Sequence, residues 1–212
     1  MAFDFQPEKE GVIKFQYDWV KTDPPSRTSV AELELLRGTL YKLKFIGVDQ
    51  TGLGYGNVSR LLKKHEKKNE FIITGSQTGG KPALLSEDYC RITDYDFSRF
   101  WVKSEGKIKP SSESLTHASL YDADPEIQWI IHIHNLELWN YMRKHGYTET
   151  GNITYGTREM AEEVGRLYRS KKIKKGNLLA MTGHESGIIS FGKTSRDALS
   201  CIYDLMKSFG KL

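Results

Sequence analysis

The 212-residue chain holds 38% hydrophobic residues and 19 glycines, an ordinary globular composition that excludes disorder as the default and suits one sizeable core. Its formal charge of +4, from 31 basic and 27 acidic side chains, is too mild to imply nucleic acid, so no nucleic-acid partner is expected. The longest apolar run, Leu178 to Met181, spans four residues and MAFDFQPEKEG has no signal-peptide pattern, so no membrane association and a cytoplasmic location are expected.

Residues 1–28, ending in the turn Asp23-Pro24-Pro25-Ser26, read as an arm packed on a domain of residues 29–212. Ser29 with Glu32 matches a capping box, and Val30, Leu33, Leu36, Leu40 and Leu43 recur at helical spacing, predicting a helix that runs to Gly47. Val58 to Leu62, a charged turn and Phe71-Ile72-Ile73 predict a β-hairpin. Ile92 to Tyr95 and Phe100 to Val102 predict a second strand pair, with Glu105-Gly106 as a turn. Ser111 to Tyr121 reads as a helix broken by Asp124-Pro125, Ile127 to His134 as a β-rich run, and Asn135 as the opening of a helix that stops by Gly146. Thr157 to Arg169 is amphipathic, and Leu178 to Met181 and Ile188 to Phe191 are short strands flanking Gly183 and Gly187. Thr194 with Asp197 caps a last helix that Gly210 stops. Hairpins mixed with helices, without regular βαβ alternation, predict an α/β fold whose central, largely antiparallel sheet is covered by helices. The lysine clusters around His65 and between Arg169 and Lys175 read as solvated turns, because no aromatic residues interleave them.

Two cysteines, Cys90 and Cys201, exclude a disulfide framework and any CxxC metal pair, so a metal would be held by His and carboxylates. His132 and His134 lie two apart in a strand and therefore share one face, while Ile131 and Ile133 pack on the other. His184, in the Gly-flanked turn Thr182 to Gly187, is the candidate third ligand. Three imidazoles with an open fourth position suit catalytic zinc. His117, one helical turn after Glu113, is an alternative ligand or a partner of one. Pro110-Ser111-Ser112-Glu113 places two hydroxyls and free amides at a helix start, a setting that favours an anion such as phosphate. Gly54-Tyr55-Gly56-Asn57 and Thr78-Gly79-Gly80 are further Gly-rich turns with amides to offer.

The succession Gly56-Asn57-Val58-Ser59, Ile73-Thr74 with Thr78-Gly79, Pro110-Ser111-Ser112-Glu113 with His117, His132-Ile133-His134, Tyr155-Gly156-Thr157-Arg158-Glu159, and His184 with Gly187 resembles the class II aldolase/adducin family. That family includes fuculose-phosphate and rhamnulose-phosphate aldolases, a ribulose-phosphate epimerase, a methylthioribulose-phosphate dehydratase and the non-enzymatic adducin head domain. The resemblance covers about residues 30 to 209. It implies a three-layer α/β/α arrangement, one Zn2+ per chain on His132, His134 and His184, and Glu113 as catalytic acid/base. It places Gly56, Asn57, Thr78, Gly79, Ser111 and Ser112 at a substrate phosphate and Tyr155 near the substrate. Glu rather than Asp at 113 is similar to the aldolases and dehydratase, not the epimerase.

By this resemblance the expected function is a zinc-dependent sugar-phosphate lyase, an aldehyde-lyase of carbohydrate metabolism that cleaves a ketose phosphate through a zinc-stabilised enediolate. Its alternatives are a dehydratase or decarboxylase on the same scaffold, or a non-catalytic adducin-like binding module. The expected partners are a phosphorylated sugar or related keto compound and further copies of the chain, a homotetramer. The stretch from His134 to Gly156 is shorter than in the sugar-phosphate aldolases, and the chain stops at Leu212. The tyrosines that those aldolases carry there are therefore expected to be missing, which leaves Tyr155, Tyr141 and Tyr147 as candidate proton donors and predicts a substrate other than fuculose phosphate. Glu185 and Ser186 are inserted between His184 and its glycine.

Overall fold

The computed structural model describes residues 11–63 and 68–210. The arm contributes an edge strand, β1 (Gln16–Val20), to which no strand was assigned from sequence. Helix α1 (Arg27–Lys42) starts three residues earlier than the Ser29/Glu32 pattern suggests. Ser26, in extended conformation, is its N-cap and accepts from the Ser29 amide at 3.2 Å. Leu43 ends the helix, short of Gly47, and the chain passes into a small ribbon of β2 (Gly47–Val48) and β3 (Gly54–Tyr55). The expected hairpin is β4 (Asn57–Lys63) with β5 (Glu70–Thr74); its turn, 64–67, lies outside the described residues. The second pair is β6 (Tyr89–Asp96) with β7 (Trp101–Gly106). Glu105-Gly106 is not a turn: both residues continue the ladder, opposite Arg91 and Cys90.

Helix α2 (Ser114–Ala123) begins after, not at, Ser111, so Ser111 to Glu113 form the turn that leads into it. Strand β8 (Trp129–His134) is followed by α3 (Leu136–Lys144), capped by Asn135, then β9 (Thr148–Glu149) and α4 (Arg158–Arg169), capped by Thr157. The hairpin β10 (Leu178–Ala180) and β11 (Gly187–Gly192) precedes α5 (Ser195–Phe209), which has the Thr194/Asp197 capping box and a left-handed Gly210 at its end.

Among the described residues, nine strands form one sheet in the order β1-β7-β6-β5-β4-β8-β11-β10-β9. Only β1 with β7 and β9 with β10 are parallel among the described residues. Period-two alternation sends side chains to opposite faces, and the core divides accordingly. Leu115, Ala118, Met160 and Val164 of α2 and α4 pack with Ile73, Ile92, Ile130 and Ile189 on one face. Leu33, Leu40, Leu138 and Ile202 of α1, α3 and α5 pack with Val58, Ile72, Ile131 and Ile133 on the other. Each fully buried Leu or Ile contributes about 1.5–3 kcal/mol relative to exposure. The result is the three-layer arrangement, with a mostly antiparallel sheet. Among the described residues no helix is long and apolar enough to cross a membrane.

The registers bring the start of β4 beside the end of β8, with Asn57 opposite His132, and the start of β11 beside the same end, with Gly187 opposite His134. The ends of β5 and β7 lie at this edge as well, flanking the start of β6. The motifs separated in sequence therefore converge at one end of the sheet.

Candidate active site

His132 and His134 project from β8 on one face, and the β10–β11 turn delivers His184 to them. That turn is closed by the His184 amide on the Met181 carbonyl and the Gly187 amide on the His184 carbonyl. One nitrogen from each imidazole lies within 4.8 Å of the other two, and the Nε2 atoms of His132 and His134 are 3.0 Å apart. Tetrahedral zinc with 2.0–2.1 Å bonds to nitrogen separates its ligands by about 3.3 Å, so this spacing fits one shared ion. Burial, followed by the neighbouring imidazoles, holds His132 well below the usual imidazole range; burial and His184 do the same to His134. This favours the neutral form of both rings, each with a lone pair to offer a metal ion. A Cβ on Gly187 would lie 3.2 Å from both the His132 Cε1 and the His184 Cγ, so a side chain there would press on two of the three rings.

Ser186 orients His134. Its hydroxyl is 3.0 Å from the His134 Nδ1 and its carbonyl accepts the Asn135 amide at 2.9 Å, which fixes the ring nitrogen facing away from the cluster. Partners of this kind orient metal-ligating histidines. Ser186→Ala is expected to weaken metal affinity by about 10- to 100-fold, measured by competition with a chromogenic chelator.

His117 is not in the cluster. It lies fully buried on α2, its Nδ1 2.7 Å from the Ser59 hydroxyl, which is 2.7 Å from the Tyr121 hydroxyl. Burial pushes His117 down to about 3. Its folded value is below that of a free imidazole, so the stability it contributes is present above about pH 6.5 and is lost as pH falls toward 3. The metal-free protein should therefore lose about 1.4 kcal/mol per pH unit from this residue within that window. Urea unfolding at pH 7 and pH 5 checks this; equal stability would contradict it.

Beside the histidines, Gly56, Asn57, Thr78, Gly79, Ser111, Ser112 and Glu113 line one narrow cleft of about 20 Å³. All six expected phosphate-contacting residues and the expected acid/base thus meet. Glu113 is 2% exposed and precedes α2, its amide donating to the Ser111 hydroxyl at 3.2 Å. A Cβ on Gly79 would sit 2.1 Å from the Gly47 carbonyl oxygen, so only glycine lets these loops close. Arg37, which lies in none of the sequence motifs, is fully buried and donates to the Thr78 and Gly79 carbonyls at 3.1 and 2.9 Å.

Tyr155 stacks on His184 at 4.5 Å between centroids, and Tyr55, from the Gly-rich turn Gly54–Asn57, stacks on His134 at 5.1 Å. Tyr141 donates to the Ser208 carbonyl and packs on Phe209, with Tyr147 against it, so both are engaged with α5. His145 is exposed on α3's C-cap. His65 lies outside the described residues.

The model of the class II aldolase and adducin N-terminal domain matches residues 44–210. The chain belongs to this family. No curated protein sequence matches it. Its fold is similar to that of a sugar-phosphate aldolase from Thermotoga maritima, with TM-score 0.63 and 18% identity over 86% of this chain and 92% of that one. It is likewise similar to an L-fuculose 1-phosphate aldolase, with TM-score 0.60 and 21% identity over 88% and 90% of the two chains. An aldolase II superfamily protein from Pseudomonas syringae has TM-score 0.59 and 11% identity over 89% of this chain and 76% of that one. These structural likenesses support an aldolase-type fold; the chemistry rests on the residues of this class II aldolase/adducin member.

Proposed function

We propose that the chain is a zinc-dependent sugar-phosphate lyase of aldolase type, carrying one ion on His132, His134 and His184. The observation that carries this reading is the meeting of three imidazole nitrogens within 4.8 Å at the same sheet end as the Glu113 cleft. The ion, when bound, supplies Lewis-acid polarisation of the substrate's carbonyl and neighbouring hydroxyl oxygens. The amides and hydroxyls of Gly56, Asn57, Thr78, Gly79, Ser111 and Ser112 hold the phosphate, assisted by the N-terminal end of α2. That grip fixes the reacting carbons and lowers the entropic part of the barrier. Glu113 carries the proton to and from the reacting carbon. Of the three candidate tyrosines, Tyr155 is the one stacked on a triad histidine, and it is the proton donor in this reading.

Calorimetric titration of the zinc-loaded protein with a ketose and its phosphate tests the cradle. The phosphate should bind at least about tenfold tighter, the equivalent of about 1.4 kcal/mol. Equal binding of the two would contradict it. The narrowness of the cleft favours one other reading, a non-catalytic adducin-like module, because about 20 Å³ admits little more than a water molecule.

A further inference from the structure

The segment that precedes β1 lies outside residues 44–210, which match the family, yet it reaches the site. Phe15 anchors it: the ring is buried in the core and meets Phe100 edge to face at 6.1 Å, and the next amide, of Gln16, donates to the Phe100 carbonyl. From that anchor the preceding residues lie on Tyr155. The Lys14 ammonium donates to the Tyr155 carbonyl at 3.0 Å and stands 4.1 Å from the centre of its ring. The Val12 amide donates to the Tyr155 hydroxyl oxygen at 3.4 Å. Gly11 forms part of the wall of the same cleft as Thr78, Gly79, Ser111, Ser112 and Glu113.

We infer that Gly11–Lys14 is part of the active site, with the Val12 amide and the Lys14 ammonium as positioning groups for Tyr155 and the segment as the movable wall of the cleft. This inference rests on the reading of the cleft and triad given above. Tyr155 in turn stacks on His184, so a shift of this segment is transmitted to a triad ring. A phosphate group is larger than the roughly 20 Å³ this cleft offers, so one of its walls must shift to admit it. Asn57 is held in the β4 ladder, and Arg37 pins the Thr78-Gly79 loop. Ser111 to Glu113 are tied to α2 through the Ser114 amide on the Ser111 carbonyl and the His117 amide on the Glu113 carbonyl. Residues 11–14 belong to no helix or strand, so they move at the least cost of these walls. The site would thus be closed and ordered by residues that precede the family-matched stretch.

The test is the rate of carbethoxylation of His134 and His184 by diethylpyrocarbonate in the full-length, metal-free protein, read residue by residue by mass spectrometry. Val12→Pro removes the amide donor and Lys14→Ala the cation. In the double variant the triad should react about tenfold faster, a loss of one decade in the closing equilibrium, while the exposed His145 reacts as in wild type. Lys14→Arg, which keeps the cation, should restore the slow rate. Equal triad rates in wild type and double variant would overturn the inference. If the double variant loses its fold, seen as equal acceleration at the core residue His117, the comparison becomes Lys14→Ala against Lys14→Arg, and identical triad rates there overturn it. Inorganic phosphate should also slow the triad reaction in wild type. Failure of phosphate alone refutes the cradle reading and leaves the covering role of the segment standing on the variant rates.

Discussion

Glu113→Gln is expected to lower kcat by about 100- to 10,000-fold on a ketose phosphate of the class proposed as substrate, the usual range for a positioned proton carrier. Gln keeps the size of the side chain and removes the titratable proton. Glu113 is nearly inaccessible, and a neutral amide costs less to bury than a carboxylate, so the variant should fold and bind metal as well as wild type. The backbone of residue 113 still accepts the His117 amide and donates to the Ser111 hydroxyl, so the turn into α2 is retained. Steady-state kinetics with metal occupancy measured on the same sample separates the effects. An unchanged kcat at equal occupancy would remove Glu113 from the mechanism.

The second large effect is on the metal. His132→Ala with His134→Ala leaves His184 alone, and a single imidazole does not retain zinc against a buffer chelator. Elemental analysis should fall from one zinc per chain to almost none. Zinc stabilisation should vanish with it: ligand present at about a thousandfold over its dissociation constant adds about 4 kcal/mol, and the double variant should show no zinc-dependent rise in Tm. Both positions lie on β8 between β4 and β11, and Ile131 and Ile133 remain packed on the opposite face, so the strand itself is preserved. Full zinc occupancy in the double variant would refute the assignment of the ligands.

The parts of the site that follow a period were legible in the sequence. Two histidines at strand spacing had to share a face, and Ile131 and Ile133 had to take the other. Helices with side-chain caps at Asn135, Thr157 and Thr194 were equally readable, because each cap is a local bond. Ser29/Glu32 misled because Ser26, three residues before Ser29, satisfies the same amide from an extended backbone. Gly106 carried a turn signal but continues the ladder at positive φ, close against the Tyr89 carbonyl. The residues that were missed act across long separations with no repeating pattern. Arg37 reaches a loop 41 residues away, and Lys14 reaches Tyr155 across 141. Only the family resemblance could assign the Gly-rich turns to one cleft, since each turn alone is a common solution to a tight bend.

Turnover is the most direct measure of the central claim. Zinc-loaded protein, with occupancy verified, is to be assayed for aldehyde release against a panel of ketose phosphates, with and without chelator. The account predicts chelator-sensitive cleavage of at least one phosphorylated ketose. Full zinc occupancy with no cleavage across the panel would contradict it and support the binding module instead.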